Sequence, residues 1–197
     1  MTQTTVAYYE ASAVVTVPSG PVTLDYFHKL AWRLFDGDGD HRHTQRPFIF
    51  RSERIDEDRN LLTLRASEPF SAGVPYTLTV ANGLSVCCDL MTVPTRRREK
   101  LRYTPSRATW PDLYADLMAR NGLTVDAPPL TSVLGYYTDK PAHTHKFPVA
   151  NSWITGQVTD AAAFARAYCT GVSRRKGYGM GLILLSTQSV LQSQQVA

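Results

Sequence analysis

Two stretches of this sequence combine residue types and spacing that suit chemistry: a histidine among helical residues and a basic, glycine-rich loop. His28 falls with Leu24, Phe27 and Ala31 on one stripe at helical spacing. Asp25 lies one turn earlier, within reach of the imidazole, while Tyr26 and Lys29 lie close by in sequence. Imidazole is the side chain best suited to proton transfer near neutral pH. A histidine at such a position is also commonly a core or groove residue. The second stretch, residues 171–182, reads G-V-S-R-R-K-G-Y-G-M-G-L. Gly171, Gly177, Gly179 and Gly181 surround Ser173, Arg174, Arg175 and Lys176. Glycine permits positive φ and close approach to the main chain. Successive amides in such a loop form a concave anion site, and the basic side chains supply charge for a phosphate. No Gly-Lys-Ser/Thr follows, so this is not a Walker loop. A helix-like stretch precedes the glycines and a strand-like one follows, the reverse of a dinucleotide fingerprint. The alternative is a glycine-rich turn that admits a last strand to a sheet.

A third stretch carries charge. Arg96, Arg97, Arg98, Lys100, Arg102 and Arg107 face a single acid, Glu99. Such a run is read as a solvated linker. Its interleaving with Tyr103, Thr104 and Ser106 equally suits a segment lying on a nucleic-acid backbone. With residues 174–176 it gives two basic patches, and a groove lined by both would hold RNA through salt-sensitive phosphate contacts. His41 with His43, and His143 with His145, form H-x-H pairs that place both rings on one face of a strand. Four imidazoles suit a transition metal, but the surroundings are loop-like. The run D-G-D-G-D-H begins like a calcium loop, yet His41 takes the sixth position and Pro47 the twelfth. No metal or other cofactor is expected.

The elements that must position these residues follow from pattern. Residues 4–17 are β-branched and aromatic and read as a strand. Pro18 to Pro21 breaks it, and Ser19 or Thr23 caps a helix running to about Phe35. Short strands are expected at 47–51 and 61–67, then a strand pair or one long strand over 76–90 with Asn82-Gly83 as turn or bulge. A helix over 110–121, strands near 123–125, 131–138 and 146–158, a helix capped by Asp160, the glycine loop and a last strand complete the chain. The expected architecture is α+β: two tandem ferredoxin-like βαββαβ-type units with the glycine-rich loop before the last strand. The expected boundaries are 1–93 for an N-terminal unit carrying His28, 94–109 for a basic linker and 110–197 for a C-terminal unit.

The totals agree. The chain has 197 residues, 43% hydrophobic and 19% charged, as in a globular protein. A net charge of +4 and a pI near 9.0 suit an anionic partner. Three cysteines without C-x-x-C spacing suggest a reducing, cytoplasmic setting and no zinc ribbon. No signal peptide or membrane-spanning run is read.

Four blocks taken together resemble the CasE-type CRISPR repeat endoribonucleases of the RAMP superfamily. They are D-Y-F-H-K-L-A-W-R-L-F (25–35), Y-T-L-T-V-A-N (76–82), R-R-R-E-K-L-R (96–102) with its Trp/Leu helix, and the glycine loop. They occur in the family's order and cover nearly the whole chain. The resemblance implies binding of a CRISPR repeat RNA stem-loop and a metal-independent cut at the base of the stem, giving 2′,3′-cyclic phosphate and 5′-hydroxyl ends. It implies partner subunits of a Cascade-like effector complex and no membrane association. It gives His28 the catalytic histidine's place and Lys176 that of the loop lysine. Tyr26 carries less weight, because the family often has a tyrosine one turn before the histidine, where this chain has Asp25. RNA contacts are then expected from Arg96, Arg97, Arg98, Lys100, Arg102, Arg107, Gly171, Ser173, Arg174, Arg175, Gly177 and Gly179. Two other readings stand beside it: a non-catalytic RNA-binding subunit of the same superfamily, and a metal-dependent hydrolase built on the H-x-H pairs.

Overall fold

The computed structural model describes residues 3–18, 22–37, 46–98, 101–137, 146–173 and 176–186. The first sheet is built from β1 (Gln3–Thr16), β2 (Phe48–Arg54), β3 (Arg59–Ala66) and β4 (Val74–Ala81), with α1 (Leu24–Asp36) between β1 and β2. The strands are antiparallel in the order β2-β3-β1-β4. Residues of β1 alternate between the two faces, and both faces are used. Phe48, Phe50, Leu62, Leu64 and Ala66 meet Phe27, Ala31 and Trp32 of α1. The other face presents Tyr8 and Val80 to helices of the second unit. β3 passes to β4 through a turn, where Phe70 stacks on Phe35 at 5.1 Å. No helix stands between these strands.

The second sheet contains β5 (Ser85–Thr92), and after it the chain forms β6 (Arg96–Arg98), β7 (Leu101–Tyr103) and α2 (Trp110–Ala119). It continues through β8 (Leu123–Val125), β9 (Leu130–Tyr137), β10 (Phe147–Val158), α3 (Ala161–Thr170) and β11 (Ile183–Leu185). The order is β11-β5-β10-β8, with β9 also on β10. This is the same ferredoxin-like arrangement with both helices present. The expected α+β tandem is therefore the observed fold.

Two expectations need correcting. Residues 76–90 are neither a hairpin nor one strand: β4 belongs to the first sheet and β5 to the second. The change of sheet falls at Asn82-Gly83, not at residue 93. Gly83 has φ +87°, its N–H bonds to Val158 O at 2.7 Å, and Asn82 Oδ1 accepts from the N–H of Ala161 at the start of α3. The turn is thus bound to the second unit. The stretch 94–109 is not a plain linker either. β6 and β7 pair antiparallel, with Arg96 opposite Tyr103 and Arg97 opposite Arg102.

The units share one core. Leu90, Cys88 and Ile154 of the second sheet pack with Tyr114, Phe164 and Tyr168 of its helices and with Tyr8 and Val80 of the first sheet. Arg65 of β3 joins the units. It is 1% exposed, pairs with Glu10, donates to the carbonyls of Tyr168 and Ile183 at 3.0 and 2.9 Å, and lies 3.6 Å from the Tyr168 ring centroid. A buried guanidinium is tolerable only when its donors are so engaged.

Candidate active site

α1 is amphipathic, so its packing fixes where His28 points. Leu24, Phe27, Ala31 and Trp32 are buried, and Thr23 at the N-cap has extended backbone. His28 is half-buried at the edge of this stripe, facing three rings: Tyr178 at 6.1 Å, Trp32 at 6.4 Å and Phe50 at 6.5 Å between centroids. It is neither sealed in the core nor on the open surface. Phe50 comes from β2 of the first unit and Tyr178 from the glycine loop of the second, so the imidazole sits at the seam between units.

The neighbours read from the sequence are directed elsewhere. Asp25 Oδ2 pairs with Lys29 Nζ at 3.0 Å, the i, i+4 geometry of a helix surface. The Tyr26 hydroxyl donates to the Thr16 carbonyl at 3.0 Å, and its ring lies edge-on to Phe27. Adjacent helical positions point to different faces, which is why Tyr26 turns toward β1. The tyrosine in ring contact with His28 is Tyr178.

The glycine loop begins where α3 ends. Gly171 has φ +73°, and Val172 N–H bonds to Gly181 O at 2.8 Å. Gly181 N–H in turn bonds to Met91 O at 2.8 Å, which ties the loop to β5. Gly181 has φ +86°, and a Cβ there would lie 1.8 Å from Val172 O. At Gly179, φ +84°, a Cβ would lie 2.9 Å from the Phe50 ring. At these two positions glycine lets the loop pack on its own protein, the second of the two readings of the loop. Lys176–Tyr178 forms a 3-10 turn just before Gly179.

Lys176 is half-buried, and Nζ donates to the Thr170 carbonyl at 2.8 Å, at the C-terminal end of α3, where a cation is favoured. Burial, and then the charge of Arg46, push its ammonium below its usual range. Arg46 is itself lowered by burial to about 10, donates Nε to Phe48 O at 2.6 Å and lies 5.6 Å from the Phe48 ring centroid. The Arg46 charge therefore acts on the Lys176 ammonium, in the direction that burial also pushes it. Arg46 escaped the sequence reading because it ends a polar loop, where a charge ordinarily signals only solvation.

The remaining basic residues divide. Arg96 lines an open depression of about 700 Å³ with Arg120 and Ser173, between α2 and the end of β5. Ser173 has φ +68°, a left-handed conformation unusual for serine. The Arg107 guanidinium lies 5.9 Å from the Trp110 ring centroid, at the start of α2. Arg97, Arg98 and Arg102 lie on the β6–β7 hairpin by backbone register. Lys100, Arg174 and Arg175, and the four histidines of the H-x-H pairs, lie outside the described residues. Among the described residues no cluster of three metal-ligating side chains occurs and no helix is long and apolar enough to cross a membrane. Cys87, Cys88 and Cys169 form no disulfide among the described residues, and burial pushes all three thiols up.

No protein-family model matches the sequence, and no curated protein matches it. Solved structures do match the fold. Thermus thermophilus Cse3 bound to an RNA representing a pre-cleavage complex superposes with a TM-score of 0.67 at 14% identity, over 91% of this chain and 98% of that one. The CRISPR-associated protein Cas6e of Escherichia coli K-12 gives 0.65 at 18% identity, over 90% and 98%. A chain of a CRISPR RNA-guided surveillance complex gives 0.59 at 21% identity, over 90% and 98%. The likeness is one of fold over nearly the full length of each chain.

Proposed function

We propose that this protein is a metal-independent endoribonuclease that cuts CRISPR precursor RNA at the base of the repeat stem-loop and stays with the product as a subunit of an effector complex. The observation that carries this reading is the meeting of α1 and the glycine loop at His28, with Tyr178 at 6.1 Å. The full-length likeness to Cse3 and Cas6e, and to a chain of a surveillance complex, supports it.

In the proposed reaction the 2′-hydroxyl attacks the adjacent phosphorus. The O2′–P bond forms, the P–O5′ bond breaks, and the products are a 2′,3′-cyclic phosphate and a 5′-hydroxyl. His28 takes the proton from the nucleophile or returns one to the leaving oxygen, a role worth about 10²–10⁴-fold. Lys176 and Arg46 offset charge on the phosphorane. An arriving phosphate would offset the repulsion between them and favour the charged form of Lys176. Phosphate contacts along the stem fall to Arg96, Arg107 and the β6–β7 hairpin, with Arg174 and Arg175 of the loop.

One pair of observations favours the other reading, a non-catalytic RNA-binding subunit: the Lys176 ammonium and the Tyr26 hydroxyl both bond to main-chain carbonyls. Cleavage of a cognate repeat hairpin in EDTA separates the two. The enzyme reading expects cutting by the parent, a cyclic-phosphate end, and loss of cutting in His28→Ala with RNA binding retained. Tight binding without cutting by either protein would leave the binding subunit.

A further inference from the structure

Beside the glycine loop, where the first and second sheets approach, lies a cavity of about 590 Å³. That is within the roughly 300–1,000 Å³ typical of small-ligand pockets. Phe27 of α1 and Tyr178 and Met180 of the loop give it an apolar wall, while Arg51, Asp89 and Asn151 meet at a polar end.

The polar end is incompletely satisfied. Arg51 is 2% exposed, and its Nη2 donates to Glu53 Oε1 at 2.8 Å, Asp89 Oδ2 at 2.9 Å and Asn151 Oδ1 at 3.4 Å. Its Nε and Nη1, and Asp89 Oδ1, have no hydrogen-bond partner among the described residues. Buried groups left open in this way are rare, and an absent ligand or water is a common cause. The carboxylates of Glu53, Glu57 and Asp89 outnumber the guanidiniums of Arg51 and Arg54 around the cavity. A phosphate is therefore repelled, and a neutral, flat group with N–H donors and acceptors on its edge is suited. Tyr178 lines the cavity and also lies 6.1 Å from His28, so an occupant is within one nucleotide of the imidazole.

We propose that this cavity receives an unpaired nucleobase of the RNA, from a nucleotide flanking the scissile phosphate. Tyr178 provides the stacking surface, and Asp89 and Asn151 read the base edge. Single-stranded bases are commonly held in this way, by an aromatic face and edge hydrogen bonds. The open groups are two donors, Arg51 Nε and Nη1, and one acceptor, Asp89 Oδ1, so this end suits a base edge that presents acceptors beside an N–H donor. The inference rests on the endoribonuclease reading.

The test uses cognate repeat hairpins with an abasic residue at one or the other nucleotide flanking the cut. Dissociation constants and single-turnover rates are measured in EDTA. One of the two abasic RNAs should be bound or cut about 10-fold less well. Tyr178→Leu should reproduce the abasic loss on intact RNA and add nothing to it on abasic RNA. If Tyr178→Leu does not fold, the RNA series alone decides. Parent-like binding and cutting of both abasic RNAs would overturn the inference and leave water as the cavity's occupant. Failure of the parent to cut unmodified RNA would overturn the endoribonuclease reading, and this inference with it.

Discussion

The two units share a strand order but are covered differently. The second has both helices of a ferredoxin-like unit, α2 and α3, on one face of its sheet. The first has α1 alone, and a turn carrying Phe70 replaces the second helix. The helix-poor unit borrows: its second face is closed by the core it shares with α3, and α1 meets the loop that follows α3. The complete unit supplies the rigid support, and the incomplete unit presents His28 to it. A site at such a seam is positioned by tertiary packing rather than by either unit alone.

If the first unit depends on the second, the strongest way to break the arrangement is at Arg65. Glu10→Ala removes its carboxylate and leaves a buried guanidinium short of a partner. The expected cost is ~3 kcal/mol, seen as a single cooperative transition with a midpoint roughly 6–12 °C lower. Two separate transitions, with only one shifted, would show that the units fold independently.

The next effect separates the two cores. The shared core contains Tyr8, Tyr114, Tyr168, Cys88 and Cys169, and burial raises the proton affinity of all five. The core beneath α1 has no buried titratable group among its described residues. Burial pushes the Cys88 thiol up to about 12. Folded Cys88 therefore keeps a proton that the unfolded thiol loses near pH 9. Its contribution is complete below that pH and drains away as pH rises toward 12. The full swing is ~4 kcal/mol. Thermal midpoints should fall above pH 9, and Cys88→Ala, although less stable at pH 7, should show a shallower fall. An equal slope in both proteins would rule out this origin.

A smaller effect concerns the surface that only the second unit offers. Arg96→Ala should weaken RNA binding and reduce the slope of log K against log salt by about 1. An unchanged slope would remove Arg96 from the phosphate contacts.

Much of this arrangement was legible in local pattern. The stripe around His28, the Asp160 cap, whose Oδ1 accepts from Ala163 N–H at 3.0 Å, and the helix–loop–strand at the glycines are all properties of neighbouring residues. What escaped depends on distant contacts. Asn82-Gly83 announces a turn, but not that the next strand pairs with residues 150–157. Sequence spacing favours Asp25 as the partner of His28, whereas Asp25 pairs with Lys29 and packing brings the Tyr178 ring to the imidazole instead. Arg51 ends an expected short strand, and its burial comes from the second sheet, which no neighbouring residue announces. The dense charge of residues 96–102 hides the alternation of a hairpin.

The most direct test of a catalytic seam is a double-mutant cycle on single-turnover cleavage of the cognate hairpin in EDTA, with His28→Ala, Lys176→Ala and the pair. Residues that act as a unit on one phosphate should not be additive. The parent should cut, His28→Ala should lose about 10²-fold or more, and the double variant should lose little beyond that. Equal cutting by the parent and His28→Ala, or cutting that requires a divalent cation, would contradict a site built on His28 and the loop.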